Sequence, residues 1–340
     1  MRLQLVVADF HADPAEFTGE SAASLARLPG LEQIGRYARR GRLAADWRAG
    51  LAAMAGRPEL TACAPAHVAA AALNLPATAA PWFADPVHLT AGMTRVRLHP
   101  AGLIRIDAAE AAQLRSSFAA EFGTLGLALQ PLFGSLLLLG LGPTFATTQD
   151  PAGFLGADIA LAPATGPDAA ALRRLGAEIE MWLHDHPLKT QRVQQGRLTV
   201  NGLWLWGGAA SRESAVPVRQ RALSLPAGFA DDGFAAGLWH LCGAETGTLP
   251  ATLDDLLADP ELQRGVRAAV VVLSAAATGE RDTPLQRLDA TWFEPALRQL
   301  RAGSLARLSV YLGGEQWVLS AAGLRRFWRT ARPWWEYFRA

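Results

Sequence analysis

Cysteine is nearly absent from this 340-residue chain. Cys63 and Cys242 stand far apart and in no metal-ligand spacing, which argues against a disulfide scaffold and against a zinc site and fits a reducing compartment. An excess of one charge is also lacking. Thirty-two basic residues against thirty-one acidic ones leave a formal charge of +1, so there is no electrostatic pull toward nucleic acid or an anionic membrane, and neither is expected as a partner. Long apolar runs are missing: Phe133–Leu141 (FGSLLLLGL) is too short to span a bilayer and reads as a buried strand. The first residues, MRLQLVVADFHAD, carry neither the extended apolar core nor the small-residue cleavage site of a signal peptide. A cytoplasmic location is the expectation. The Gly-x-Gly after Leu139 lacks the third glycine and the Lys-Ser/Thr of a phosphate loop, and no Gly-x-Ser-x-Gly elbow or paired-histidine zinc helix occurs.

What remains is ordinary globular material, half apolar and 19% charged, in a length that suits two domains or one large α/β unit. Leu3–Phe10 reads as a buried strand that delivers Asp9 to its C-terminal end. The spacing of Leu31, Ile34, Tyr37 and Ala38 predicts a helix stopped at Gly41, and the basic run Arg36–Arg42 reads as its solvated face. Alanine-rich helices are expected at Ala44–Ala55 and His67–Leu73. A Pro/Ala linker (PATAAPWF) then leads to strands Val87–Leu98 and Leu103–Ile106 around a turn at His99–Gly102. Asp107 and Glu110 form a capping-box pattern opening a helix to about Phe122, and a buried strand follows at Leu136–Leu141. A helix starting near Asp168 presents Leu172, Leu175, Ile179 and either Trp182 or Leu183 on one face, and ends or kinks at Pro187. Further strands are expected at Leu203–Trp206, Val266–Leu273 and Arg307–Leu312, the last joined by Gly313-Gly314 to Gln316–Leu319 as a hairpin. Helices lie between them near Phe234–Leu241 and Trp292–Leu300. The tail, AAGLRRFWRTARPWWEYF, is expected to be an amphipathic helix with its aromatic face packed on the body. Strands alternating with helices argue for the α/β class with a largely parallel core sheet.

The densest chemistry lies in Glu178–Gly208 (EIEMWLHDHPLKTQRVQQGRLTVNGLWLWGG). Its His186, Pro187, Arg192, Gly196, Asn201, Trp204, Trp206 and Gly207 resemble a motif of archaeal-type cofactor-independent phosphoglycerate mutases and of a bacterial offshoot, the RpfE-type regulatory proteins. Lys189 stands where that motif usually has Asn. Leu28–Gly41, Trp82–Leu89 (WFADPVHL, closest to the RpfE-type group), IDAAEAAQL and the stretch from VVVLS to DATWFEPALRQL are weaker echoes in the same order. The resemblance implies an alkaline-phosphatase-like core sheet flanked by helices, formed by 1–75 and 201–340, with an inserted α+β region at 76–200. It also implies phosphoryl transfer through a serine and two divalent metals. The residues for that chemistry are not found. Asp9 occupies the place of a first metal ligand, but Ala64, Pro65 and Ala66 stand where Ser-Asp is expected, with only Thr61 and Cys63 nearby as nucleophiles. VVVLSAAATGERD and SVYLGGEQWVL lack the Asp and His ligands of the later strands.

Asp9 is therefore either a remnant metal ligand or a helix-capping carboxylate. His184 and His186 are favoured at a helix end by the dipole, and a metal there lacks its third and fourth donors. With Lys189, Arg192, Arg197 and Asn201 they are candidates for a small anion, phosphate or carboxylate, gripped by the planar fork of arginine. Trp204 and Trp206 share one side of a strand, as packed core or as a pocket wall. Asp85 and His88 either line the same cleft or begin a strand. The expected function is a non-catalytic, phosphoglycerate-mutase-like regulatory protein that binds a small anionic metabolite or a protein partner, with no cofactor. The alternative is a metal-dependent phosphoryl-transfer or phosphatase-type enzyme with a rebuilt site, which alone calls for a divalent metal. A scaffolding role for the tryptophan-rich tail is the third reading.

Overall fold

Strand β1 (Arg2–Ala8) is apolar except at Arg2 and Gln4 because both of its faces are covered. In the computed structural model, which describes residues 1–10, 25–42, 46–142, 144–208, 217–222, 225–263, 265–275, 284–326 and 328–338, it lies inside a six-stranded sheet. β1 runs parallel to β9 (Ala268–Ser274) on one side and to β10 (Arg307–Leu312) on the other. β8 (Ala227–Ala230) extends the parallel part beyond β9. β11 (Glu315–Ser320) returns antiparallel to β10, and β2 (Arg39–Arg42) closes that edge. The turn between β10 and β11 needs positive φ at two successive residues, and Gly313 and Gly314 supply it at 55° and 77°.

Leu3, Leu5 and Val7 face one apolar layer, which holds α1 (Pro29–Tyr37) and the tail aromatics Trp334, Trp335, Tyr337 and Phe338. Val6 and Ala8 face the other, packed by α2 (Trp47–Met54), α3 (Pro65–Ala71) and α7 (Gly233–Leu241). No side chain of its own caps α1. Instead Asp289 accepts hydrogen bonds from the Gly30 and Leu31 amides at 3.0 and 2.7 Å.

A second sheet, antiparallel, is ordered β4-β3-β6-β5, with β7 also paired to β3. Its strands are β3 (Trp82–Ala91), β4 (Val96–Leu103), β5 (Ala128–Leu132), β6 (Ser135–Leu139) and β7 (Gly202–Trp206). α4 (Ala108–Phe122) and α5 (Ala169–Asp185) cover it with Leu114, Phe118, Ile179 and Leu183, and α6 (Pro187–Gln194) follows at Pro187. The molecule is thus mixed α/β, with the expected capping box at Asp107 and Glu110 in place.

Several expectations are corrected. Trp82 and Phe83, read as linker, are buried and open β3. The hairpin turn lies at 92–95, and His99–Gly102 belongs to β4, whose register against β3 shifts between Val87 and Leu89. Gly202–Trp206, placed with the core sheet, pairs with β3 instead: Trp206 is opposite Phe83. The basic run ends in a strand rather than a helix face because the free edge of β11 supplies its hydrogen bonds. The tail is two short 3₁₀ turns, Ala321–Arg325 and Trp334–Phe338; the first closes at its C-cap, Arg326, and Pro333, which has no amide to extend a helix reaching it, opens the second by accepting from the Glu336 amide at 3.1 Å. The aromatic packing survives, although Trp328 stays exposed. Of the helix expected from Ala44, the first two residues lie outside the described residues, as does 276–283 of the segment after β9. Among the described residues no helix is long and apolar enough to cross a membrane.

Candidate functional site: an acidic cleft around a buried arginine

The C-terminal ends of β1, β8 and β9 open into a cleft whose far wall is the second sheet. One chamber of about 90 Å³ lies between Asp9, Arg48, Asp150 and Asp232 on one side and Phe83, Asp85, Ser135 and Trp206 on the other. A second, of about 310 Å³, shares Asp9, Arg105, Asp231, Asp232 and Ser274 with it. Carboxyl ends of parallel strands are where open α/β sheets receive ligands.

Arg48 sits at the middle. Asp46 caps α2 through the Ala49 amide at 2.9 Å, which fixes the first helical turn and carries Arg48 into the cleft. The residue is 9% exposed. Its Nη1 donates to Asp150 Oδ2 at 2.7 Å. Its guanidinium carbon lies 4.5 Å from the Trp47 ring centre and 4.7 Å from that of Trp206, a cation held between two aromatic faces. Nε is buried and has no hydrogen-bond partner. Burial works against the charge, but the surrounding carboxylates, Asp150 foremost and then Asp9 and Asp232, more than offset it and hold the guanidinium above its usual value.

Each carboxylate arrives from a different element. Asp9 follows β1 with φ of 59°, a left-handed conformation that Asp tolerates better than most residues. Burial, reinforced by Asp150, pushes its carboxyl up to about 7 despite Arg48. Asp85, on β3, accepts from Trp206 Nε1 at 2.5 Å and from the Ser135 hydroxyl. Burial raises it to about 6, and those two hydrogen bonds resist the shift. Asp232 caps α7 through the Ala235 amide at 2.8 Å and is also raised by burial. Asp150 caps a 3₁₀ turn through the Ala152 amide. At the rim, Arg105 Nη2 donates to Phe133 O at 2.9 Å, to Asp231 O at 3.0 Å and to Asp231 Oδ2 at 2.5 Å, tying the second sheet to the end of β8.

Of the candidates read from the sequence, Asp9, Asp85 and Trp206 meet here. The others do not. Arg192 is 2% exposed, paired to Glu110 at 2.7 Å, and also donates to the Leu198 and Arg105 carbonyls. Arg197 reaches the same Glu110 at 3.1 Å. His186 lies between the Ser117 hydroxyl at 2.8 Å and the Leu188 amide at 3.2 Å. Asn201 spends both amide atoms on Leu89, accepting from its N–H at 2.7 Å and donating to its carbonyl at 2.8 Å. His88 meets the Thr199 carbonyl at 2.9 Å. Trp204 donates to the Gln149 carbonyl at 2.8 Å and stacks on Phe154. His184 and Lys189 lie on the surface, joined by Lys189 Nζ to the His184 carbonyl at 3.2 Å. Trp204 also lines a separate, largely apolar cavity of about 210 Å³ with Leu172 and Leu205; the other side chains bind the second sheet's helices and strands to one another rather than converge on a pocket.

The nucleophile region lies behind the cleft wall, where the Ala66 amide donates to the Gly207 carbonyl at 2.9 Å and Ala66 packs with Phe83 and Trp206. Thr61 donates to the Pro58 carbonyl, Cys63 is buried with its thiol pushed up by that burial, and neither lines the cleft. Among the described residues no three His, Cys, Asp or Glu side chains are arranged to hold a metal ion. The carboxylates ring a guanidinium instead. Sequence reasoning missed Arg48, Asp150, Asp231, Asp232, Ser135 and Arg105. Asp232-Gly233 and Asp150-Pro151 carry helix-start signals, but nothing local marks them as parts of one site.

No family model matches the chain, and no curated protein matches it. Among solved structures it is similar to a cofactor-independent phosphoglycerate mutase from Thermoplasma acidophilum, at 15% identity and a TM-score of 0.36 over 93% of this chain and 88% of that one. It is also similar to a protein from Pyrococcus horikoshii, at 13% identity and a TM-score of 0.45 over 94% and 87%. At these values neither likeness transfers a residue's role or an activity.

Proposed function

We propose that this chain is a binding protein on a phosphoglycerate-mutase-like, alkaline-phosphatase-like frame, that it does not transfer phosphoryl groups, and that it acts in regulation through the occupant of its cleft. The observation that carries this is Arg48. A permanent cation stands among Asp9, Asp85, Asp150 and Asp232, where a pair of divalent metals would otherwise have to be neutralised and held. The regulatory part rests on the resemblance to the RpfE-type group.

The lining also narrows the occupant. Five aspartates face the cleft against two arginines, Arg48 and Arg105. Such a field repels a phosphate or carboxylate and favours an ammonium or guanidinium group, on a small ligand or on a basic segment of a partner protein. The test is an assay of the purified chain with manganese and 3-phosphoglycerate, in which no turnover is expected. Turnover abolished by a chelator would overturn the reading.

One observation favours the second reading, a phosphatase-type enzyme with a rebuilt site. The Ser135 hydroxyl donates to Asp85, a buried carboxyl near 6 and so a base poised close to neutral pH. Hydrolysis of p-nitrophenyl phosphate that is lost in Ser135→Ala would establish it; no hydrolysis is expected.

A further inference from the structure

We propose that the opposite end of the six-stranded sheet carries a binding site for a small polyanion, one with two or more phosphate or carboxylate groups. A cavity of about 510 Å³ opens over β2, β11 and the turn after β11, lined by Arg39, Arg40, Arg307 and Arg326 with Gln316 and Ser320, and no carboxylate lines it. Strand register sets which side chains share this face. Arg39 lies opposite Val318, Gly41 opposite Gln316 and Arg307 opposite Ser320, while Trp317 and Leu319 turn inward to the core. Arg40 donates to the Tyr337 carbonyl at 2.7 Å and Arg326 to the Tyr37 carbonyl at 2.9 Å. Arg39 and Arg307 have no ion-pair or hydrogen-bond partner among the described residues. Arg2, exposed and in register beside Arg307 at the start of β1, adds to the positive field.

Charged side chains on an edge strand guard it against pairing with another chain, and that accounts for β2. It does not account for Arg307, whose strand is paired on both sides. Arg40 has a counter-charge in Glu315 at 3.9 Å, but Arg39 and Arg307 face the cavity with none among the described residues, and an anion long enough to touch both relieves their repulsion. The planar guanidinium fork matches phosphate and carboxylate oxygens two at a time. The volume falls within the range of about 300–1,000 Å³ typical of small-molecule sites. Because Arg307 begins β10 and Asp9 follows the end of the parallel β1, this site and the acidic cleft lie at opposite ends of the strands, and the proposal stands whatever occupies the cleft.

The experiment is isothermal titration of the full chain with inorganic pyrophosphate at low salt, with orthophosphate as the single-group control. Saturable binding is expected, stronger for pyrophosphate and weakened by added salt. Arg39→Gln with Arg307→Gln should weaken it roughly tenfold or more without moving the melting temperature, since both residues are exposed, while Arg39→Lys with Arg307→Lys keeps the charge and retains part of the affinity. Asp9→Asn, in the cleft, should leave it unchanged. Absence of binding by both pyrophosphate and citrate at millimolar concentration, or undiminished binding in the double glutamine variant, overturns the proposal.

Discussion

Asp9→Asn isolates what the acidic cleft costs the fold. The Asp9 carboxyl has a value of about 3.8 when the chain is unfolded and about 7 when it is folded, raised first by burial and then by Asp150. For an acid shifted upward on folding, the native state binds the proton more tightly than the unfolded state. The stabilising contribution is therefore complete below about pH 4 and is lost as pH rises through 7. A shift of about three units at roughly 1.36 kcal/mol each puts the cost of ionised Asp9 near 4 kcal/mol at pH 8. Asp85 and Asp232 share the strain, so removing one charge relieves them too and the measured figure belongs to the group. Asn keeps the shape, never ionises, and tolerates φ of 59°. Urea denaturation of the two proteins between pH 4 and 8 reads the effect. The variant should be more stable by about 2–4 kcal/mol at pH 8, with the gap shrinking to near zero by about pH 4. A variant that is less stable at pH 8, or a gap that does not change with pH, would refute the reasoning. Asp9 would then be a counter-ion that Arg48 requires.

Three further perturbations probe other parts of the molecule. Arg48→Met strips Asp150 of its cation and should cost about 3–5 kcal/mol in urea denaturation, part of it recovered by adding Asp150→Asn; a nearly neutral Arg48→Met would mean that the guanidinium is not the cleft's counter-charge. Arg192→Met leaves buried Glu110 with only the half-exposed Arg197 and the Asp107 amide as partners and should cost about 1.5–3 kcal/mol, while pyrophosphate titration of the folded fraction stays unchanged. A variant with intact stability and lost anion binding would restore the sequence reading of Arg192 as an anion receptor. Asp289→Ala removes the acceptor for two amides of α1 and should lower stability by about 1–2 kcal/mol in thermal melts followed by circular dichroism.

The fold was legible where a single local rule decided it. Asp107 and Glu110 capped α4 where expected, Gly313-Gly314 turned the β10–β11 hairpin, and Pro187 separated α5 from α6. It was illegible where pairing depended on a distant strand. Nothing within Arg39–Arg42 says that the free edge of β11 will draw it into a sheet, and Gly202–Trp206 reads equally well as a strand of either sheet until Phe83 is placed beside Trp206. The tail misled for a related reason. Its aromatic spacing is helical, but the first turn ends at Arg325 and Pro333 restarts the chain in a second short turn, while the rings still find the core.

The site failed to show in the sequence because density of chemistry along a chain is a poor guide to convergence in space. Glu178–Gly208 collects histidines, arginines and an asparagine, yet folding turns most of them on each other. Glu110, recognisable beforehand only as part of a capping box, donates nothing to a ligand because it accepts from the Asp107 amide, Arg192 and Arg197 together. The cleft has the opposite character. Asp9, Arg48, Asp85, Asp150 and Asp232 lie on five separate elements, and three of the neighbouring acids (Asp46, Asp150 and Asp232) already have sufficient local explanations as caps. A capping carboxylate that also faces a buried guanidinium looks no different in sequence from one that faces water. Only the tertiary arrangement converts unremarkable helix starts into a charged chamber, and Arg48 is the side chain on which that conversion depends, since without it the same aspartates would have to stay protonated, bind a cation or push the two sheets apart.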